Sequence, residues 1–148
     1  MKHLRERLLQ GQTGKICFAR ILEGEDLAEA VKKRIEESNV RAGMFMLIGS
    51  LKDAVLGYYR DGKYDYVRLE GPLEIASCMG NVAIDEKGDT VIHAHVVLSN
   101  EKCEAFGGHL AKGSHVGATA ELVIIEGLNV NLVRSPDEKT RLNLLRLS

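Results

Sequence analysis

No part of this 148-residue chain approaches the run of about 20 apolar residues that a membrane helix requires, so no membrane partner is expected. The start, Met1-Lys2-His3-Leu4-Arg5, is basic but lacks the apolar stretch of a signal peptide, which makes the cytoplasm the expected location. Charge of one sign is missing as well. With 20 basic and 21 acidic residues the net charge is −1, and nothing general draws the chain onto nucleic acid or an anionic surface. Cysteine is scarce: Cys17, Cys78 and Cys103 show no CxxC spacing and leave an odd one over. That pattern argues against a disulfide framework and for reduced, packed thiols. Neither a GxGxxG nor a Walker pattern is present to cradle a phosphate, so Gly107-Gly108 reads as a bulge or a close backbone approach. No repeat, linker or low-complexity segment divides the chain. It is read as one domain, 1–148, with a polar segment at 1–14 that should be flexible.

What is present alternates between one helical stripe and many β-forming runs. Residues 15–22 are rich in β-formers and read as a first strand. Gly24-Glu25-Asp26 then starts a helix in which Leu27, Val31 and Ile35 recur every four residues beside Ala30. Its acids come early and its bases late, the order that the helix dipole favours, and Ser38-Asn39 closes it. This is the one long helix expected. Residues 42–48 and 52–59 read as strands separated by a Gly49-Ser50 turn. Asp61-Gly62-Lys63 is a hairpin signal before the alternating residues 64–69. Gly71-Pro72 should break the chain before a strand at 73–83, and 85–89 is a charged hairpin. Two further strands are expected at 129–133 and 142–147, separated by Ser135-Pro136-Asp137. One helix against roughly eight strands means α+β: a curved, mostly antiparallel sheet with the helix covering one face.

The chain is organised around residues 91–126. His93 and His95 flank Ala94 in an apolar, β-branched run, so both imidazoles share one face of a strand. A third, His109, follows Gly107-Gly108. Three imidazoles in this pattern suit a divalent first-row ion such as zinc, with a fourth position open as in catalytic zinc sites. Water in that position would lose its proton near neutral pH, or the ion would polarise a carbonyl. The competing reading is that of core histidines hydrogen-bonded to backbone.

Several motifs in order carry a resemblance. They are His93-x-His95, then Gly107-Gly108-His109-Leu110, Gly113, and Thr119-Ala120-Glu121. Upstream come Gly71-Pro72-Leu73-Glu74-Ile75 with Gly80-Asn81, and earlier still Gly24-Glu25-Asp26 and Gly49-Ser50-Leu51. The sequence thereby resembles the PPC domain, the plants-and-prokaryotes-conserved domain, in its stand-alone prokaryotic form, over about residues 15–126. The resemblance implies the α+β fold and a homotrimer. It also singles out Glu74 as a candidate catalytic acid or base, or as an orienter of a histidine; a salt bridge to Arg68 or Arg41 is the plainer alternative. Glu121 is ambiguous in the same way. His115 does not match a histidine of the family and reads as a surface or interface residue. In plant members DNA binding comes from an Arg-Gly-Arg-Pro AT-hook, which this chain lacks, so direct, specific DNA binding is not expected. Two functions stay open at this point. One is a metal-dependent hydrolytic or carbonyl-activating reaction on a small molecule; the other is a DNA-associated or regulatory scaffold with a structural metal.

Overall fold

A computed structural model describes residues 8–147. In chain order its elements are β1 (Gln12–Leu22), α1 (Leu27–Glu37), β2 (Gly43–Arg60), β3 (Lys63–Asp85), β4 (Thr90–Ser99), β5 (Ala105–Leu110), β6 (His115–Leu128), β7 (Leu132–Pro136) and β8 (Asn143–Leu147). The expected α+β composition is present. The helix, however, is short, three turns over 11 residues. Of the N-terminal segment expected to be flexible, residues 12–14 already belong to β1; residues 1–7, with His3, lie outside the described residues.

The eight strands form one sheet in the order β1-β6-β2-β5-β4-β3-β7-β8, and β2 also pairs directly with β3. Strands β2, β3, β4 and β5 therefore close into a ring, each bonded to two of the others. All pairings are antiparallel except β3 with β7. The ring is possible because β2 and β3 are long and bent. Gly49-Ser50 is a bulge inside β2 rather than a turn, because β3 and β6 continue to pair on either side of it. At Gly49 a Cβ would collide with the Thr119 carbonyl, so the strands approach there as only glycine allows. Gly71-Pro72 likewise lies within β3 instead of ending a strand. Asp61 and Gly62, at φ 51° and 80°, form the expected tight hairpin. Ser135 and Pro136, expected to separate two strands, belong to β7.

Helix α1 turns Leu27, Ala30, Val31 and Ile35 onto the sheet, where all four are buried. Burying an aliphatic side chain of this kind contributes about 1.5–3 kcal/mol. Asp26 caps the helix by accepting from the Glu29 N–H at 3.1 Å. Its other oxygen accepts from the Gly113 N–H at 2.6 Å, which ties the β5–β6 turn to the helix start. The core is thus the layer between α1 and the sheet, filled by Phe45, Leu51, Val82, Ala94, Val96, Leu98 and Leu122 among others. Cys78 packs in it, and burial pushes its thiol up to about 12. Cys103 departs from the packed reading: it is exposed, in a turn.

Candidate metal centre

Because Ala94, Val96 and Leu98 of β4 point into the core, the intervening His93 and His95 point to the opposite face. The ladder then supplies the third ring. His95 sits directly across from His109 of β5, and His93 across from Asn81 of β3. Directly opposed side chains have Cβ atoms only about 5 Å apart. The centroids of His93 lie 5.1 Å from His95 and 5.2 Å from His109, and His95 lies 5.9 Å from His109. One ring nitrogen from each falls within 4.8 Å of the others. The two readings of these histidines, metal ligands or hydrogen-bonded core residues, are separated by their surroundings. His109 Nδ1 is buried without a hydrogen-bond partner, and His95 is exposed. A satisfied core histidine has neither property.

Electrostatics disfavour the charged form of two of these rings, His93 and His109. Burial, then the Arg134 guanidinium and the other two imidazoles, pushes His93 down to about 4. Burial, His95 and Arg134 lower His109 in the same way. Neutral imidazoles offer lone pairs at neutral pH, which is the form a first-row cation takes up. The donor set and the unpartnered nitrogen therefore fit a divalent ion held by His93, His95 and His109.

The walls come from elements remote in sequence. Tyr64, at the start of β3, stacks on His109 with centroids 4.5 Å apart, and Tyr59 and Tyr66 flank it at 5.9 and 6.0 Å. Gly57 makes this stack possible: a Cβ there would come 2.9 Å from the Tyr64 ring and 3.5 Å from His109 Cβ. An open groove of about 460 Å³ runs over Gly57, Tyr59, Tyr64, His95 and His109. On the other side Arg134 of β7 reaches in. It is 9% exposed and donates through Nη1 to the Asn143 carbonyl at 3.0 Å and through Nη2 to Asn81 Oδ1 at 2.7 Å. The Tyr59 hydroxyl donates to the Thr140 carbonyl, joining the β2–β3 hairpin to the β7–β8 turn.

The sequence reading assigns no role at the site to Arg134, Tyr64 or Gly57, and it meets Asn81 only within the Gly80-Asn81 motif. For Arg134 the signal available was a basic residue directly after the apolar pair Leu132-Val133. Glu74 is not brought to the triad within the chain. It is exposed and pairs with Ser50 and Ser99. Ser99 is four residues beyond His95, roughly 13 Å along a strand. Arg68 instead binds Asp53 and Glu70, and Arg41 donates to the Gly88 carbonyl. Glu121 is exposed on β6, opposite Arg20 and Ile48. His115 is half-exposed and is held by Asp53.

Known proteins share this fold. A plant- and prokaryote-conserved protein of Pyrococcus horikoshii is 30% identical, with a TM-score of 0.85 over 92% of this chain and 94% of that one. A metal-containing protein of Archaeoglobus fulgidus is 32% identical, with a TM-score of 0.82 over 94% and 98%. Among curated proteins, the bifunctional protein GlmU of Synechococcus sp. (strain JA-3-3Ab) is 30% identical over 122 residues, 82% of this chain. The chain spans less than a fifth of the length of the curated relatives it matches. Residues 8–127, from the start of the described chain to the penultimate residue of β6, match the Plants and Prokaryotes Conserved (PCC) domain, and the chain belongs to that family.

Proposed function

We propose that this protein binds one divalent ion, zinc, through His93, His95 and His109, and that it works in the cytoplasm as a homotrimer. The observation that carries the reading is the convergence of three imidazoles with ligand atoms within 4.8 Å of one another. The metal-containing relative from Archaeoglobus fulgidus supports it. When bound, an ion in such a site supplies Lewis acidity toward a carbonyl or ester-like oxygen and activation of water. The chain's own residues prepare that chemistry. Tyr64 covers one face of His109, and the groove over His95 leaves room for a small molecule.

The trimer has a physical motive. The triad face of the sheet continues into exposed apolar side chains, with Met79, Met46 and Phe18 following His95 across β3, β2 and β1. A contiguous apolar face of this kind invites a partner surface, and a cyclic trimer closes it.

A second reading, a scaffold with a structural ion, is favoured by one observation: Glu74 stands apart from the triad and lines a separate groove with Ser50 and Ser99. Elemental analysis of protein purified without chelator tests the metal directly. About one ion per chain is expected, and equal metal in wild type and in the His93→Ala, His95→Ala double variant rules the triad out. Ester hydrolysis that disappears with the ion favours the enzyme, and its absence in metal-loaded protein favours the scaffold. Light scattering tests assembly: the 16.3 kDa chain should run near three times that mass, and a monomer at micromolar concentration excludes the trimer.

A further inference from the structure

The geometry points to Arg134 as a positioning residue that opposes metal loading, by holding His93 in the wrong tautomer for ligation through Nε2. Arg134 Nη2 lies 3.4 Å from His93 Nδ1. A guanidinium has N–H donors and no acceptor, so in this contact Nδ1 must be the acceptor. A neutral imidazole that accepts at Nδ1 carries its proton on Nε2. Ligation through Nε2 then requires the proton to move to Nδ1, where an N–H would face an N–H. Ligation through Nδ1 requires Arg134 to leave.

Metal-bound histidines usually show the reverse arrangement, with the second nitrogen donating to a carboxylate or a carbonyl that raises ligand basicity. Such an acceptor is close by, since Asn81 sits opposite His93 in the ladder. Its Oδ1, however, is committed to Arg134 at 2.7 Å. Among the described residues no carboxylate forms an ion pair with Arg134, and its Nε is buried without a partner. Among the described residues the guanidinium charge thus has no carboxylate against it, and it adds repulsion toward a dication to the tautomer conflict. Moving Arg134 away would hand Asn81 Oδ1 to His93. It would also break the bond from Nη1 to the Asn143 carbonyl that staples Arg134 to β8. The triad is thus built for an ion that exchanges, and its occupancy is linked to the C-terminal β7–β8 hairpin.

This inference rests on the metal reading above, and two measurements keep the two apart. The first is zinc affinity at neutral pH, by competition with a chromogenic chelator, for wild type, Arg134→Gln, Arg134→Met and the His93→Ala, His95→Ala double variant. Arg134→Gln removes the charge and restores an acceptor, and should bind zinc about tenfold or more tighter than wild type. Arg134→Met removes only the charge and the donor and should fall between. Wild type binding as tightly as both variants overturns the inference while the metal reading stands; zinc bound by none of them, or equally by the double variant, overturns both. The second is ring ¹⁵N NMR of chelator-stripped wild type, which needs no variant to fold. His93 should appear as the Nε2–H tautomer, and the Nδ1–H tautomer overturns the inference whatever the affinities.

Discussion

His93 and His115 are the same residue on the same sheet, and their partners are opposites. His115 presents Nδ1 to the Asp53 carboxylate at 2.7 Å, while His93 presents Nδ1 to the Arg134 guanidinium at 3.4 Å. A carboxylate can only accept and a guanidinium can only donate. The His115 ring therefore carries a proton on Nδ1, and the neutral His93 ring carries its proton on Nε2 instead. His115 has the second partner typical of a metal ligand but, among the described residues, no imidazole grouped with it. His93 has the neighbours and the inverse partner. A histidine's chemistry is thus set less by its own exposure than by which group the strand register places against its second nitrogen.

Breaking each site should give different symptoms. His109→Ala removes one of three ligands and should weaken zinc binding by about 100-fold or more, beyond what loss of a supporting contact usually costs. His115→Ala should leave zinc affinity unchanged. A chelator-competition titration reads both, and loss of affinity in His115→Ala would merge two sites that the structure separates.

The Asp53 cluster should show itself in stability instead. Its carboxylate accepts from the His115 backbone N–H at 3.0 Å, the His115 ring, and Arg68 at 2.6 Å. Burial acts to raise the Asp53 pKa, but the hydrogen bonds from the His115 ring and backbone, and the charges of His115 and Arg68, outweigh it and hold it below 3.8. A depressed carboxylate contributes stability that is complete above its ordinary value and is lost as pH falls through its lower folded value. Asp53→Asn should therefore cost about 1.5–3 kcal/mol at neutral pH, the range for a hydrogen bond to a charged group. The gap to wild type should narrow below about pH 3.8. Urea denaturation across pH measures this, and a gap that widens in acid contradicts it.

The smallest effect sharpens the triad side. Tyr64→Ala removes the ring stacked on His109 but none of the ligands. An aromatic pair of this kind contributes about 0.5–1.5 kcal/mol, so zinc affinity should fall by roughly 2- to 13-fold. Tyr58→Ala, an exposed ring on the neighbouring strand, should change nothing by the same titration. Equal losses in both would mean that Tyr64 acts through general stability rather than through His109.

The sequence by itself determined the helix, the β-rich remainder and the candidate ligands. The stripe of Leu27, Ala30, Val31 and Ile35 specifies α1 with its Asp26 cap, and the two-residue period of β4 puts His93 and His95 on one face. These are local properties, readable because helix and strand periods are short. Gly49-Ser50 and Gly71-Pro72 were misread as breaks for the same reason: a local signal for a bend cannot say whether neighbouring strands pair on past it. Only the tertiary structure decided that β2 and β3 run on and close a ring, that His109 falls opposite His95, and that His115 receives Asp53 while His93 receives Arg134. Those partners lie 14, 62 and 41 residues apart in the chain. They meet through strand register, which depends on how whole faces pack rather than on any short stretch of sequence.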